Sequence, residues 1–279
     1  MTPAVLGSPL SVLSAVDRGR VETAPFPHIV IDNALPKALY DSLSDSFPSM
    51  SDLAIPKAGP NERWSVGARA VGASDKVTAI WRAFIAYHAS AAFFDEVLAL
   101  FGDHIAHDYP DRFPNAASLQ ALRPGIRKVD TFDRSDVLLD AQICGNTPAE
   151  VAGSVRTMHV DNGRKLFAGL FYMRLADDDA QGGDLALGRL KPPYRKAEQV
   201  AGAFDGKYLD DGKIETARMV PYAANRLVLF INSLSAIHGV TVRQPTTHPR
   251  RFVNLLGEID PPLYSAEYGE APRYLTRFR

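Results

Sequence analysis

The second half of the chain carries the pattern that most restricts its fold. Beyond Pro124-Gly125, short apolar runs alternate with segments rich in Gly, Pro, Asp and Asn. Many short strands separated by turn residues are typical of an antiparallel sandwich or barrel. The sequence therefore predicts a mainly β core. The apolar runs are 137–144, 166–175, 184–187, 225–231, 240–243 and 251–259.

The first part of the chain has a helical pattern. Residues 1–25 are predicted to form a tail, and residues 26–120 a layer with one strand and several helices. A helix opens at Pro36, and the apolar series over 74–101 predicts one long helix or two consecutive helices. We expect this layer to brace a core of residues 121–279, including a C-terminal tail, within one compact unit.

Three segments are predicted to form loops over the mouth of the core, namely 49–73, 124–136 and 188–218. The first is polar and rich in Gly and Pro, with Trp64 among charged residues. Such loops often carry function on a rigid scaffold. Their basic residues hint at an anionic or zwitterionic substrate. These residues are Arg127, Lys128, Arg134, Arg189, Lys191, Arg195 and Lys196.

Composition limits the partners that the chain can have. The 279 residues include 31 basic and 32 acidic residues, so the formal net charge is −1. No global field favours nucleic acid or an anionic membrane surface. The single cysteine, Cys144, excludes an internal disulfide framework, and no apolar run has the roughly 18 residues of a membrane span. We expect a cytoplasmic protein without nucleic-acid or membrane partners.

A His-x-Asp pair is the strongest candidate for chemistry. Residues 158–162 read Met-His-Val-Asp-Asn, and an extended backbone points His159 and Asp161 to the same face. Residues 236–240 read Ala-Ile-His-Gly-Val, and His238 would complete the set if the fold brings it back. Two imidazoles and one carboxylate hold non-haem Fe(II) and leave coordination positions open.

Other motifs accompany this pair in a characteristic order. An apolar strand containing Tyr172 is followed by Gly-Gly-Asp-Leu at 182–185, Asn-Arg-Leu-Val-Leu-Phe at 225–230 and Arg-Arg-Phe-Val-Asn at 250–254. In this combination, over about residues 155–260, the chain resembles the Fe(II)- and 2-oxoglutarate-dependent dioxygenases, most closely the prolyl-hydroxylase-like branch. Its opening Phe-Pro-His-Ile-Val-Ile-Asp is also similar to the entry strand of that family.

The resemblance implies a fold, a metal and a reaction. The implied fold is mainly β with α, a double-stranded β-helix (jelly roll) core braced by N-terminal helices. His159, Asp161 and His238 would hold Fe(II), with 2-oxoglutarate as cosubstrate and O2 as oxidant. In the family an unactivated C–H bond is hydroxylated while 2-oxoglutarate is decarboxylated to succinate. Related halogenases have a small residue at the position of Asp161, which argues against halogenation.

The resemblance also assigns the far carboxylate of 2-oxoglutarate to an arginine about a dozen residues after the second histidine. Arg251 is favoured, because Arg251 and Val253 match the family's Arg-x-Ser pair with Val in place of Ser; Arg250 is the alternative. A guanidinium suits this role because its planar fork matches a carboxylate. Tyr172 stands where the family often has a tyrosine that reaches this carboxylate, and Gln142 is a further candidate for the cosubstrate pocket.

The primary substrate is predicted only in broad terms. Asn162 and Arg164 directly follow the first two ligands and are expected to face it. A small molecule is the leading prediction, and a peptidyl side chain is the alternative. A cupin-like enzyme with non-redox chemistry and a catalytically silent binding module are two further hypotheses. The late arginine counts against the first, and the intact ligand set counts against the second.

Overall fold

The structure is a computed structural model that describes residues 9–16, 18–56, 58–154, 156–193, 204–205, 208–265 and 273–274. These residues form a large, mostly antiparallel sheet, a small antiparallel sheet, two short two-stranded pairs and a layer of helices. The helices are α1 (Lys37–Asp45), α2 (Ala68–Gly72), α3 (Ala79–His88), α4 (Ala91–Asp108) and α5 (Ala116–Gln120), with short 3₁₀ helices at Arg18–Arg20 and Asp211–Lys213. The strands are β1 (His28–Asp32), β2 (Arg63–Val66), β3 (Pro124–Ile126), β4 (Val137–Asn146), β5 (Lys165–Tyr172), β6 (Leu185–Leu190), β7 (Phe204–Asp205), β8 (Tyr208–Leu209), β9 (Ile214–Val220), β10 (Arg226–Ile231), β11 (His238–Val240), β12 (Arg250–Ile259), β13 (Tyr264–Ser265) and β14 (Arg273–Tyr274).

The large sheet has the order β1-β10-β5-β12-β4-β2, and β3 pairs in parallel with β4. The small sheet has the order β11-β6-β9. Strand β12 pairs with β4 on one side and with β5 on the other, so it lies in the middle of the large sheet. The predicted class, mainly β with α, is confirmed by this arrangement.

Strand β5 shows how the large sheet separates two hydrophobic regions. Phe171 packs on Phe84 of α3, with 5.9 Å between the ring centroids. The next residue, Tyr172, points to the other side because side chains alternate along a strand. Tyr172 packs in a second cluster together with Leu185 of β6. Helices therefore cover one face of the large sheet, and the small sheet covers the other.

Helices α3 and α4 are the buried part of the helical layer. Trp81, Phe84 and Phe101 are fully buried. The side chain of Ser90 accepts a hydrogen bond from the backbone N–H of Phe93 and so begins α4. The apolar series over 74–101 thus forms two consecutive helices, one of the two predicted arrangements. Among the described residues no single helix could span a membrane, and α3 and α4 meet that test only as a pair bent by 48°.

A buried histidine attaches the N-terminal segment to this helical layer. The backbone N–H of Val12 donates to Nε2 of His88 at 3.2 Å, and Nδ1 of His88 lies 2.8 Å from the carbonyl oxygen of Phe84. Burial lowers the pKa of His88 to about 4. The imidazole is therefore neutral at pH 7, which leaves Nε2 able to accept the Val12 hydrogen bond.

Regular structure occupies part of each segment that was predicted to be a loop. Residues 49–73 contain β2 and α2, and Trp64 of β2 is buried against Gly145. Strand β9 begins within 188–218, and β3 lies within 124–136. These predictions are wrong over those strands because each is short or lies at a sheet edge. Pairing with a long neighbour stabilises such a strand without a strong apolar pattern.

Candidate metal centre

The two predicted ligand segments meet through a small backbone bridge. The N–H of His159 donates to the carbonyl of His238 at 2.9 Å, and the N–H of His238 donates back at 3.0 Å. Gly239 makes this approach feasible, because a Cβ atom there would lie 2.8 Å from the backbone nitrogen of Met158. The fold therefore brings His238, at the start of β11, beside the His-x-Asp pair.

The three predicted ligands converge on one point between the sheets. The ligand atoms of His159, Asp161 and His238 all lie within 4.8 Å of one another. Nε2 of His159 is 3.9 Å from Oδ1 of Asp161, and Nε2 of His238 is 3.7 Å from Oδ2. All three residues are buried, with exposed fractions of 1%, 2% and 6%. Such a buried convergence of donor atoms suits a metal ion.

Backbone carbonyls orient both imidazoles. Nδ1 of His159 lies 2.7 Å from the carbonyl oxygen of Thr157, and Nδ1 of His238 lies 2.8 Å from that of Ala236. In the tautomer in which Nδ1 donates to the carbonyl, the proton is on Nδ1 and the lone pair of Nε2 points towards Asp161. Both rings are therefore held in the orientation that a metal ligand needs.

Electrostatics set the protonation states of the three ligands. Burial, together with the positive charge of Arg156, lowers the pKa of His159 to about 2, and burial also lowers the pKa of His238. Burial acts to raise the pKa of Asp161, but the positive charges of Lys165 and Arg156 outweigh it and hold that pKa below its usual range. At pH 7 the site thus presents two neutral imidazoles and an ionised carboxylate.

Two further residues, which sequence reasoning missed, position the loop that carries Asp161. The amide nitrogen of Asn232 donates to the carbonyls of Asn162 and Lys165 at 3.0 and 2.9 Å. The hydroxyl of Tyr264 lies 2.7 Å from the carbonyl oxygen of Asp161 and 2.8 Å from the side-chain oxygen of Asn232. A polar residue directly after the buried strand β10 was the available signal for Asn232. Tyr264, near the start of the C-terminal tail, is buried.

A narrow cavity extends from the triad between the two sheets. Leu170, Phe230 and Phe252 of the large sheet form apolar walls, and Leu185 and Val240 of the small sheet face them. Charged and amide side chains line the rest of the cavity, so it combines apolar walls with polar groups that can bind and orient a ligand. Besides the triad these are Arg63, Asn146, Arg156, Lys165, Arg250 and Asn254.

Arg250, and not Arg251, faces this cavity. Arg251 points to the helical side of the sheet, where it donates to the hydroxyl and carbonyl oxygens of Ser44 at 3.0 and 3.3 Å and lies over the ring of Phe47. Arg251, the arginine favoured from the sequence, therefore lies outside this cavity, whereas the alternative, Arg250, lines it. The physical reason is the period of two along β12, which turns Arg251 and Val253 towards the helices.

Arg250 lies among aromatic rings, with several polar atoms nearby that have no partner. Its guanidinium carbon is 5.0 Å from the ring centre of Tyr172 and 4.9 Å from that of Phe252, and Nε donates to the Gly183 carbonyl at 2.9 Å. Among the described residues, Nη2 of Arg250, the hydroxyl of Tyr172 and both side-chain polar atoms of Asn146 make no hydrogen bond. This end of the cavity thus combines a positive charge with vacant hydrogen-bonding capacity.

The remaining predicted residues lie farther from the cavity. Gln142 lines a wider cleft outside the triad, where it donates to Asp140 at 2.8 Å and accepts from Asn254 at 3.0 Å. Asn162 lines the same cleft. Arg164 does not line it, and its guanidinium pairs with Asp260 at 2.6 Å instead. A contact of either residue with the substrate stays a prediction.

Comparison with known proteins gives distant structural matches. No family model and no curated protein matches the sequence. A prolyl 4-hydroxylase from Phytophthora capsici matches 91% of this chain at 14% identity and a TM-score of 0.45, and the chain spans 63% of that protein. A prolyl-4-hydroxylase from Pseudomonas putida matches 83% of this chain and 92% of its own, at 11% identity and a TM-score of 0.41. HygX from Streptomyces hygroscopicus, solved with nickel and 2-oxoglutarate bound, matches 84% of this chain and 83% of its own, at 10% identity and a TM-score of 0.42.

These structures belong to the class that the sequence motifs resemble, prolyl hydroxylases and 2-oxoglutarate oxygenases. Identities of 10–14% and TM-scores below 0.5 describe a likeness of overall shape only. Shared shape does not fix an activity, since one fold hosts many functions. The side chains of the site must therefore carry any conclusion about what this chain does.

Proposed function

We propose that this protein is an Fe(II)- and 2-oxoglutarate-dependent dioxygenase that hydroxylates an unactivated C–H bond of a small molecule. The observation that carries the proposal is the buried convergence of His159, Asp161 and His238 within 4.8 Å. The two facing sheets support an assignment of the core to the double-stranded β-helix. A cationic end to the adjacent cavity, at Arg250, supports the choice of cosubstrate.

The three ligand residues fit Fe(II) in kind and in protonation state. Neutral imidazole and carboxylate are its usual donors in non-haem oxygenases. His159 and His238 are neutral at pH 7, so no proton has to leave a ring before a metal binds. With one carboxylate, a divalent ion keeps a net positive charge, which favours an anionic 2-oxo acid.

The residues around Arg250 fit the far carboxylate of 2-oxoglutarate. Leaving a buried polar group without a partner costs about 1–3 kcal/mol. Arg250 and Asn146 line one end of the cavity, and the ring of Tyr172 packs against Arg250. A guanidinium N–H, an amide and a hydroxyl of these three residues have no partner among the described residues. A carboxylate placed there would accept hydrogen bonds from all three at once. Tyr172 thus takes the role expected of it, while Arg250 replaces Arg251.

The contribution of the chain is to bind, orient and keep water out. When bound, Fe(II) supplies activation of O2, with conversion of 2-oxoglutarate to succinate and hydroxylation of the substrate. The imidazoles are fixed through Nδ1, and Tyr264 and Asn232 hold the loop of Asp161, so the ligands need little rearrangement. The apolar cavity walls keep water from the metal's open positions.

An anaerobic titration tests the proposal directly. Purified protein is mixed with Fe(II) and 2-oxoglutarate, and the metal-to-ligand charge-transfer band is recorded before O2 is admitted and succinate is measured. We expect the band, and succinate release that a suitable substrate increases. His159→Ala should lose the band. If the wild type shows neither band nor succinate, the proposal is wrong, and a non-redox metalloenzyme or a binding module becomes the better interpretation.

The same assay separates the two substrate classes. The cleft outside the triad has a volume of about 320 Å³, which lies within the range of small-molecule sites and supports the leading choice. Succinate release stimulated by a proline-containing peptide, and by no small molecule, would instead support a peptidyl side chain as the substrate.

A further inference from the structure

The cleft outside the metal centre has an excess of positive charge that the proposed function does not use. Its volume is about 320 Å³, and it shares Arg63, Arg156, Asp161, Lys165 and Asn254 with the triad cavity. These residues form the boundary between cleft and cavity. A substrate that lies in the cleft and presents a C–H bond to the metal must therefore pass them.

Ion pairs explain only part of this charge. Arg127, also in the cleft, is neutralised by Glu258 at 2.8 Å and approaches Asp140 at 3.5 Å. Arg63 lies 5.3 Å from the ring centre of Phe252 and 4.0 Å from the sulfur of Cys144. No carboxylate among the described residues pairs with Arg63. Its guanidinium is thus a cation at the cavity entrance, beside the ring of Phe252 and the thiol of Cys144.

Arg156 and Lys165 are paired with a metal ligand. Arg156 lies 3.3 Å from Oδ1 of Asp161, and Lys165 lies 2.9 Å from Oδ2. Their side chains are 27% and 18% exposed, so solvent screens them only in part. A single carboxylate therefore opposes two cations even before a metal ion is considered.

Metal and cosubstrate change this balance further. A divalent ion, the carboxylate of Asp161, the two charges of 2-oxoglutarate and the guanidinium of Arg250 together have no net charge. The negative charge of Asp161 is then shared with the ion and is no longer available to Arg156 and Lys165. Three cations at the cavity entrance are left without an equal number of anions.

We propose, on the basis of the proposed function, that the primary substrate carries a carboxylate or phosphate group that binds between Arg63, Arg156 and Lys165. This group provides the missing negative charge. Two guanidinium groups offer planar donor pairs that match either anion, and Lys165 adds a mobile point charge. The rest of the substrate extends along the apolar walls of Phe252 and Leu170 towards the metal.

Phosphate binding to the loaded protein tests this inference. The full chain is loaded anaerobically with Fe(II) and 2-oxoglutarate, and inorganic phosphate is titrated by calorimetry at constant ionic strength. The charge-transfer band is followed in parallel, so that displacement of 2-oxoglutarate is seen separately. We expect phosphate to bind to the wild type while the band persists. Arg63→Gln should weaken phosphate binding at least tenfold.

Two further variants make the result specific. Arg63→Lys keeps the charge but loses the planar fork, so its loss should be smaller than that of Arg63→Gln. Arg189→Gln is the matched control, because Arg189 is exposed, pairs with Glu215 and lies outside the cleft. Phosphate affinity in that variant should equal that of the wild type.

The outcomes separate this inference from the function on which it rests. A normal band with equal phosphate affinity in wild type and Arg63→Gln would overturn the anion site and leave the dioxygenase proposal standing. Absence of the band in the wild type would overturn both. Loss of the band on addition of phosphate would mean that phosphate displaces 2-oxoglutarate. The anion would then bind at the cosubstrate position, which would also contradict the inference.

A matched substrate panel distinguishes carboxylate from phosphate. Free amino acids are compared with their amides, and glucose 6-phosphate with glucose, by succinate release above the rate without substrate. Stimulation by the charged member of one pair supports the inference and identifies the anion. Greater stimulation by a neutral member contradicts it.

Discussion

Arg250 and Arg251 are neighbours in sequence and belong to different regions of the molecule. Arg251 lies on the helical face of the large sheet, where Ser44, Met173 and the ring of Phe47 surround its guanidinium. Arg250 lies on the cavity face, where Nη2 has no partner among the described residues. The guanidinium of Arg251 therefore contacts other parts of the fold, whereas that of Arg250 has a donor that can bind a ligand.

The same contrast holds for the two faces of the large sheet as a whole. On the helical face, Trp81, Phe84 and Phe94 are buried at 0–1% exposure and pack in an almost purely apolar core. On the cavity face, charged and amide side chains such as Asp161 and Asn146 are buried to a similar degree. Burial on the helical face stabilises the fold, whereas burial on the cavity face prepares polar groups to bind.

Loss of the carboxylate ligand should have the largest effect on the cavity face. Asp161→Ala removes one of three donors and leaves Arg156 and Lys165 to repel a cation, so Fe(II) affinity should fall by at least about 100-fold. Metal content after gel filtration and the charge-transfer band measure this loss. Asp179→Ala, at a carboxylate with 93% of its side chain exposed, is the control and should retain both. Retention of iron by Asp161→Ala would contradict the assigned site.

Truncation on the helical face should affect stability instead. Phe84→Ala opens a cavity next to Trp81 and Phe171, and we expect the free energy of unfolding to fall by about 3–5 kcal/mol. Urea denaturation measures this change. The fraction that remains folded should still show the full charge-transfer band. A loss of the band without a loss of stability would show that the two faces are not separate in function.

The stability of the helical layer should depend on pH through the buried imidazole of His88. Its pKa in the folded protein is about 4, below the ordinary histidine value of 6.5, so the unfolded chain takes up the proton first as the pH falls. Stability is therefore fully present above pH 6.5 and decreases by about 3 kcal/mol towards pH 4. The denaturation midpoint across this range measures the effect. His88→Gln should remove this contribution, and an unchanged pH slope in the variant would contradict it.

Replacement of each arginine by glutamine, in separate variants, should give the smallest effects, but these effects distinguish the two residues most clearly. Arg250→Gln should weaken 2-oxoglutarate binding by 2–3 kcal/mol, about 30- to 150-fold, because a charge-assisted contact is lost. Arg251→Gln should cost about 2 kcal/mol of stability and change 2-oxoglutarate binding less than twofold. Titration of the charge-transfer band and urea denaturation measure the two quantities. The opposite pattern would mean that Arg251 binds the cosubstrate.

The candidate metal ligands could be predicted from the sequence because of their spacing and because of the motifs that lie near them in the chain. His159 and Asp161 are one residue apart, and His238 stands in a His-Gly-Val motif whose glycine permits close strand approach. The arginine favoured from the sequence, Arg251, lies on the helical face, because matching Val253 to the serine of the family's pair selected that face of the strand. Asn254 is polar and shares a face with Arg250, which was the better signal.

Other parts of the site could not be read from sequence because they depend on contacts distant along the chain. Tyr264 acts through the backbone carbonyl of Asp161, for which no motif exists. Arg63 lies in a segment that was predicted to be a loop, and only the pairing of β2 with β4 brings it to the cavity entrance. Helix and strand positions were predictable where the apolar pattern was long, as in α3 and α4.

In the proposed metal centre, an ion bound by both His159 and His238 would link two segments that are distant in sequence, in addition to its part in the reaction. The two residues come from distant parts of the sequence and are joined through one pair of backbone hydrogen bonds. The three ligand atoms converge only in the folded chain, so an ion that binds there and not to the unfolded chain shifts the equilibrium towards the folded state by mass action. The melting temperature should therefore rise with the concentration of free metal ion.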